Sequence, residues 1–328
     1  MQFGIRIPSI AWPDLTHERS TKLRDYVQRC EDLGFDACWV IDHFLKTPLI
    51  YAVSWLDPLL TLAYVAGCTK SIKIGTAILV LPFRHPVLLA KEVATLDFLS
   101  GGRYLYGVGA GWDRKEYEVM DVKLSQRGPR TDEVLEATRK LLTEGRCSYQ
   151  GKYYSFEDVD FDPLPPKMPE VWVAGGSRVR TDLSPDKTTI AKSVLRRIAK
   201  ADVFVVRNTG YKDWVKRDLA AAQAHVASVG RDPKTLQLAH VQFTHIVESG
   251  DRGKCLEIQR PHFEFAMGTH RDWDHLQACY LTGTIEDMCE TIADLKEVGL
   301  QHLIIHPTST EPEQIDLIAK HFFPIFKD

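Results

Sequence analysis

The stretch ATLDFLSGGRYLYGVGAGWDRKEY, residues 94–117, has the order helix, Gly-Gly turn, short apolar strand and glycine-rich loop. Helical spacing of the apolar residues predicts the first part, and the paired glycines predict its end. Gly107, Gly109 and Gly111 fall at the carboxyl end of the predicted strand, where residues without a Cβ let a flat or phosphorylated ligand approach the backbone. This one stretch therefore predicts both a β/α architecture and a cofactor site.

The alternation of strand and helix continues along the whole chain. Strands are predicted at residues 3–7, 36–41, 71–75, 103–108, 170–174, 201–206 and 236–243, and immediately before His306. Eight buried strands, each followed by a helix, favour a parallel (β/α)₈ TIM barrel that forms a single domain over residues 1–328. Two segments exceed the repeat: 147–169 is predicted to be a hairpin with a proline-rich link, and the aromatic, histidine-rich segment 249–281 is a candidate lid.

Composition excludes several classes of protein. The 328 residues carry a net charge of −3, which gives no reason to expect nucleic acid or an acidic membrane as a partner. The seven cysteines are scattered without a C-x-x-C pair, a pattern typical of reduced thiols in a cytoplasmic protein. The first residues resemble a strand rather than a signal peptide, and no apolar run is long enough to span a membrane.

Active sites of such barrels lie at the carboxyl ends of the strands. Asp42 and His43 follow the second strand, where a histidine can pass a proton at neutral pH and a neighbouring carboxylate can orient it. The alternative is that Asp42 caps the strand end by accepting backbone N–H groups. Thr76, Ala77 and Ile78 follow the third strand and join the candidate set by the same rule.

A second candidate, after the fifth strand, is Gly175-Gly176-Ser177-Arg178. Backbone N–H groups, a hydroxyl and a guanidinium suit a phosphate, although an ordinary βα turn has the same composition. Trp112, after the glycine loop, is either one wall of a site for a flat ring or a core residue. The chain lacks H-x-H and H-E-x-x-H, so no metal site is expected.

A larger set of motifs occurs in one order along the chain. They are GFDACWVIDHF (34–44), Asp57-Pro58, Ile74-Gly-Thr76, His85-Pro86, AKEVATLD (90–97), Ser100-Gly-Gly-Arg103, GVGAGW (107–112), Arg127-Gly128 and WVAGGS (172–177). As a set, these motifs resemble those of the bacterial luciferase-like flavin and deazaflavin oxidoreductases. The match is dense over residues 1–177 and thinner, but colinear, to the end of the chain.

The resemblance implies a barrel that binds FMN or the deazaflavin coenzyme F420, and a homodimer. It implies a non-prolyl cis peptide at Ala77-Ile78, a cofactor phosphate at Gly175, Gly176 and Ser177, and proton transfer by His43. The Asp-His-Phe signature and the Gly-Ala-Gly-Trp loop favour F420. Two departures stand out: a sugar-phosphate dehydrogenase of the family has a catalytic Glu at the position of Trp112, and polar residues 179–189 replace an alanine-rich helix.

The leading hypothesis is therefore an oxidoreductase that exchanges hydride between a flavin-type cofactor and a small organic substrate. His43 is predicted to donate or accept the proton, Asp42 to orient it, and Gly107, Gly109 and Gly111 to admit the ring. An FMN-dependent monooxygenase using O₂ and a non-catalytic flavin-binding protein remain as alternatives. An unrelated isomerase or aldolase barrel would need a catalytic Lys or a metal set at the strand ends, and the sequence offers neither.

Overall fold

The computed structural model describes residues 1–7, 17–46, 55–177, 189–207, 212–269 and 271–328. Short apolar runs form its strands because β-branched and aromatic side chains pack well on a pleated surface. Within the described residues there are eleven strands: β1 (Gln2–Arg6), β2 (Ala37–Val40), β3 (Lys73–Thr76), β4 (Leu79–Val80), β5 (Tyr104–Gly109), β6 (Arg146–Gln150), β7 (Ser155–Asp160), β8 (Glu170–Gly175), β9 (Val203–Val206), β10 (Gln237–Thr244) and β11 (His302–Pro307).

Helices connect the strands. The described part of the chain has α1 (His17–Asp32), α2 (Pro58–Cys68), α3 (Pro86–Ser100), α4 (Arg114–Val119), α5 (Arg127–Glu144), α6 (Lys192–Ile198), α7 (Lys212–Ser228), α8 (Arg252–Met267), α9 (Trp273–Cys279), α10 (Ile285–Glu297) and α11 (Glu313–Phe326). Proline begins α2 and α3, where its missing N–H costs nothing. Among these helices, none combines the length and the apolar character that crossing a membrane requires.

The strands close into a barrel. Parallel pairing runs in the order β3-β2-β1-β11-β10-β9-β8-β5, and a further pairing of β3 with β5 joins the two ends. Over the described residues this gives eight parallel barrel strands with helices between them, so the predicted (β/α)₈ fold is confirmed. The short strand β4 pairs with β5 outside that ring order, directly after the third barrel strand.

Large side chains fill the barrel, and small residues make room for them. Trp39 on β2 is 1% exposed and lies beside Trp172 of β8, with ring centroids 4.6 Å apart. A Cβ added to Gly4 would come within 2.2 Å of the Trp39 indole nitrogen, and one added to Gly75 within 2.5 Å of its six-membered ring. The two strands that flank β2 therefore need glycine where they face Trp39.

The two segments that exceeded the repeat form separate elements. β6 and β7 pair as an antiparallel hairpin, as predicted for 147–169. Segment 249–281 contains α8 and α9, and the buried Gln259 of α8 ties it to the barrel. Its side-chain amide donates to the carbonyls of His245 and Gly283 at 3.0 and 2.8 Å, and its oxygen accepts from the Gly283 N–H at 2.8 Å. These bonds hold α8 beside the end of β10.

Candidate active site

His43 lies just beyond β2 and is held by an acid that is distant in sequence, Glu116 of α4. Its Nδ1 is 3.1 Å from Oε1 of Glu116, and the two side chains are only 8% and 3% exposed. The same Glu116 oxygen accepts the backbone N–H groups of Phe44 and Leu45 at 2.7 and 3.2 Å. One carboxylate oxygen thus fixes both the imidazole and the backbone that follows it.

The glycine loop and α4 place Glu116 there. Asp113 caps α4 by accepting the N–H groups of Lys115 at 2.7 Å and Glu116 at 3.4 Å. The Tyr117 hydroxyl donates to the carbonyl of Ala110, which ties the helix back to the loop. The sequence analysis missed Glu116, although an acid three residues after a capping Asp is a recognisable helix-start signal. That signal predicts the helix but gives no hint of a contact with His43.

The hydrogen bonds described for Asp42 go to Val80 and Arg84, as in the alternative in which it caps the strand end, and its orienting role toward His43 stays a prediction. Its carboxylate accepts the Val80 N–H at 2.8 Å and is paired with Arg84 Nη2 at 3.1 Å. Adjacent residues at a strand end point to opposite sides, so Asp42 turns toward the barrel wall while His43 turns toward α4. Burial raises the pKa of Asp42, against the opposing effects of Arg84 and the Val80 amide.

The segment after β3 passes close to the glycine loop. The Ala77-Ile78 peptide bond is cis, as the resemblance implied. The Ala77 carbonyl accepts a hydrogen bond from the Arg6 guanidinium, and the Thr76 hydroxyl donates to the Gly107 carbonyl at 2.7 Å. Thr76 and Ala77 are buried and Ile78 is half-buried, and the three lie at and just beyond the carboxyl end of β3, beside the glycine loop.

The three glycines of the loop are explained by this neighbour. A Cβ added to Gly107 would lie 1.7 Å from the Thr76 carbonyl oxygen, and one added to Gly109 would lie 2.3 Å from Ile78 Cδ1. Gly111 has φ +65°, and its added Cβ would be 2.7 Å from Val80. The protein's own backbone and side chains therefore require glycine at these positions. Close approach of a ligand is not needed to account for them.

Aromatic rings surround His43. The ring of Trp112 contacts the His43 ring edge-on, with ring centroids 5.5 Å apart. Trp112 therefore lies beside the candidate proton-transfer residue, in agreement with its predicted place at one side of the site. The ring centroid of Trp55 lies 6.2 Å from that of His43 and 6.1 Å from that of His306. The His306 ring in turn stacks on Phe243, with ring centroids 4.4 Å apart. The carboxyl ends of β2, β5, β10 and β11 thus contribute to one ring-lined cluster.

His306, at the end of β11, is buried without the hydrogen bonds that a buried imidazole normally forms among the described residues. Within the described residues neither of its ring nitrogens has a hydrogen-bond partner, although the side chain is 1% exposed. Burial, with a smaller effect from Arg6, holds the pKa of His306 well below its usual range, so the ring is neutral. A neutral imidazole offers one donor and one acceptor, and buried groups of this kind normally have partners.

The predicted phosphate turn is engaged with an acid. The Ser177 N–H donates to Asp218 Oδ2 at 2.6 Å, and the Ser177 hydroxyl donates to Asp218 Oδ1 at 2.5 Å. Gly176 has φ +130°, and a Cβ added there would be 2.8 Å from Asp218 Oδ2. At Gly175 an added Cβ would lie 2.3 Å from Val194, so the turn packs against α6 as well. Arg178 lies outside the described residues.

Donor atoms of His43, Asp113 and Glu116 lie within 4.8 Å of one another, a spacing that a metal ion could share. Both carboxylates already accept backbone N–H groups, since Asp113 caps α4 and Glu116 binds Phe44 and Leu45. These hydrogen bonds give the cluster a structural role in the fold.

A TIM barrel with a histidine–glutamate pair and several aromatic rings at its carboxyl mouth has the kind of site found in barrel enzymes. The chain belongs to the luciferase-like monooxygenase family, whose model matches residues 1–302.

Two relatives illustrate the likeness in sequence. An F420-dependent glucose-6-phosphate dehydrogenase of Amycolatopsis mediterranei is 32% identical over 168 residues, which cover 48% of this chain and 48% of that protein. A 5,10-methylenetetrahydromethanopterin reductase of Methanopyrus kandleri is 25% identical and covers 100% of this chain and 99% of its own. The chain thus matches about half the length of the first relative and nearly all of the second.

A solved structure shares the fold. An F420-dependent secondary alcohol dehydrogenase in complex with an F420-acetone adduct superposes with a TM-score of 0.81 at 19% identity, covering 100% of this chain and 99% of that one. At this identity the likeness concerns the fold alone.

Proposed function

We propose that this chain is a luciferase-like oxidoreductase that binds a flavin-type cofactor, F420 in preference to FMN, at the carboxyl end of the barrel and exchanges hydride with a small organic substrate. The observation that carries the proposal is His43 fixed by Glu116 beside Trp112 and Trp55. The cofactor supplies the hydride chemistry when bound, and the protein orients the reactants and controls access.

His43 handles the proton in this proposal. In this proposal Nδ1–H donates to Glu116, which leaves Nε2 as the acceptor atom of the imidazole. That nitrogen takes the proton released when a substrate alcohol is oxidised, and returns it in the reverse direction. Hydrogen bonds from Phe44 and Leu45 keep Glu116 in place, so the imidazole holds one orientation between turnovers.

The mouth of the barrel suits a ring system with its own donors and acceptors. His306 brings two buried ring nitrogens that lack partners among the described residues, and a bound heterocycle or water would satisfy them. Thr76, Ala77 and Ile78 with Gly107, Gly109 and Gly111 line the wall on which such a ring rests in our proposal. Asp42 keeps a supporting role, as the buried partner of Arg84 that fixes the turn after β3.

Trp112 bears on the substrate class. The resemblance implied an acid at this position in a sugar-phosphate dehydrogenase, whereas here an indole meets the edge of His43. With Trp55 and Phe243 nearby, the surroundings of His43 are aromatic. We therefore propose a small, largely apolar organic substrate rather than a sugar phosphate.

An FMN-dependent monooxygenase is the second candidate, favoured by the aromatic packing of segment 249–281. Phe263 of α8 contacts Trp273 and Tyr280, with centroids 5.7 and 6.0 Å apart, and Tyr280 contacts Phe243 at 5.1 Å. These packed aromatic rings exclude water. An oxygenase needs this exclusion of water to protect its reactive intermediate. A non-catalytic flavin-binding protein would bind the ring without a substrate cavity beside His43.

Binding and oxygen measurements separate these candidates. Purified protein is titrated with F420 and with FMN, and oxygen uptake is followed with the reduced cofactors. Tighter binding of F420 with no oxygen uptake is expected; tight FMN binding with oxygen uptake would replace the hydride-transfer proposal by the monooxygenase. Failure to bind either cofactor would refute both.

Removal of His43 tests its role. His43→Ala is expected to abolish most turnover while cofactor binding persists. The matched control is His321→Ala, which removes an imidazole that contacts Glu248 on the outside of the barrel. Equal losses in both variants would remove His43 from the mechanism.

Three further points belong to the proposal. The chain forms one barrel domain over residues 1–328, with the hairpin and α8–α9 as insertions. It acts as a homodimer. Its proposed location is the cytoplasm, in agreement with seven cysteines that form no disulfide within the described residues. Light scattering of the purified protein is expected to give twice the chain mass of 37.2 kDa.

A further inference from the structure

Ser177 and Asp218 are joined by two hydrogen bonds at the position where the family resemblance implied a cofactor phosphate. Both oxygens of Asp218 are used: one accepts the Ser177 backbone N–H and the other its hydroxyl, at 2.6 and 2.5 Å. Ser177 is fully buried and Asp218 is 2% exposed. A backbone N–H and a hydroxyl are the donors that a phosphate would need there, and here a carboxylate takes both.

The surrounding fold holds this acid in place. Asp218 lies in α7, which follows β9, and β9 pairs with the strand that leads into Ser177. Gly176 passes so close to Asp218 that a side chain on the glycine would come within 2.8 Å of the carboxylate. Burial raises the pKa of Asp218, while its hydrogen bonds from Ser177 and the charge of Arg217 act in the opposite direction. The acid is therefore a built part of the turn rather than a surface group that meets it by chance.

We propose that Asp218 fills the position of the cofactor phosphate at Ser177, so that the chain does not select for a phosphate at this turn and binds the ring of its flavin-type cofactor at the opposite, His43 side. A phosphate placed at the same donors would face a carboxylate of like charge, and such a juxtaposition weakens binding strongly. The inference rests on the proposed function, because it concerns how the same cofactor is recognised.

Two pairs of ligands test the inference, since the members of each pair differ at the phosphate-bearing end. Riboflavin is compared with FMN, and the deazaflavin without its phosphate-bearing tail is compared with F420, by fluorescence titration of the protein. In the wild-type chain the phosphate-free member is expected to bind as tightly as its partner or more tightly. A wild-type preference of about tenfold or more for FMN or F420 would overturn the inference and leave the proposed function intact.

Removal of the charge gives the second readout. Asp218→Asn is expected to tighten binding of the phosphate-bearing ligand by about tenfold while the phosphate-free ligand changes by less than about threefold. Asp213→Asn removes one exposed charge from the same helix and is the control, with no change expected for either ligand. Equal changes for both ligands in Asp218→Asn would contradict the inference. The wild-type comparison decides it even where that variant fails to fold. Absence of binding by all four ligands would instead refute the proposed function.

Discussion

Replacement of Glu116 by alanine is expected to disable His43 without displacing the cofactor. The change removes one oxygen that accepts three hydrogen bonds, from His43 Nδ1 and from the N–H groups of Phe44 and Leu45. Hydrogen bonds to charged groups contribute about 1.5–3 kcal/mol each. The three bonds share one acceptor oxygen, so their contributions do not add in full. Since Glu116 is 3% exposed, water does not readily replace it, and we expect the free energy of unfolding to fall by about 2–4 kcal/mol.

The effect on catalysis follows from the tautomer. Without Glu116, the carboxylate that accepts from Nδ1–H is lost, so part of the population is expected to carry the proton on Nε2 and cannot act as the base. General acid–base catalysis contributes about 10²–10⁴-fold to rate, which bounds the loss. We expect kcat to fall about one-hundredfold in Glu116→Ala and about tenfold in Glu116→Gln, which retains an acceptor oxygen, with KM little changed.

Steady-state kinetics and ¹⁵N NMR of the imidazole together form the assay. In the wild type the NMR signal of His43 is expected to show the proton on Nδ1, and in Glu116→Ala a mixture. Glu118→Ala is the control, because Glu118 lies on the same helix, is 70% exposed and forms an ion pair with Lys115 at the surface. If Glu116→Ala lowers stability but keeps kcat within about twofold of the wild type, the carboxylate is structural only and the reasoning about the tautomer fails.

Three further predictions concern the fold around the site. Gly107→Ala would place Cβ 1.7 Å from the Thr76 carbonyl oxygen and is expected to prevent folding or to lower the free energy of unfolding by about 3 kcal/mol or more. Its control in thermal unfolding is Gly67→Ala in α2, where an added Cβ meets nothing within 4 Å and the change is expected to be neutral or stabilising. Arg84→Met leaves the buried Asp42 without its cation and is expected to lower the free energy of unfolding by about 3–5 kcal/mol, more than Asp42→Asn does in urea titrations. Burial lowers the pKa of His240, His245 and His302 to about 4, so each is neutral in the folded chain and protonates near pH 6.5 in the unfolded chain. The free energy of unfolding is therefore expected to fall from about pH 6.5 toward pH 4, by up to ~1.4 kcal/mol per pH unit per group, and a flat pH profile in denaturant titrations would contradict this.

The barrel itself could be predicted from the sequence because its signals are local. Each strand is a short apolar run that ends at a polar or glycine residue, and each helix shows its own start or stop. The rule that barrel sites lie at the carboxyl ends of strands then brought His43, Thr76 and Ser177 into one candidate set. The structure places all three at that end of the barrel.

The structural causes of particular residues were harder to predict. Gly107 and Gly109 were assigned to ligand approach, because a missing Cβ in a strand end has no visible cause in one sequence. Their cause is the segment 76–78, which lies beside them only after β3 and β5 pair and close the barrel. A contact that depends on ring closure leaves no local trace, so the sequence indicated the need for glycine but not its origin.

The same limit explains why the long-range partners of the acids at the mouth were not predicted. Asp42 precedes His43 in sequence, yet it binds Val80, 38 residues away. His43 binds Glu116 over a separation of 73 residues, and Ser177 binds Asp218 over a separation of 41.

In a parallel barrel the loops that follow adjacent or nearby strands meet, while residues adjacent in sequence at a strand end point apart. The partner of a strand-end residue is therefore to be sought in the βα segment after a nearby strand: β4 after β3 for Asp42, α4 after β5 for His43 and α7 after β9 for Ser177. Applied to His306 at the end of β11, this reasoning points to the segments after β1 and β10. Arg6 lies at the end of β1 and lowers the pKa of His306, and Phe243 on β10 stacks on its ring.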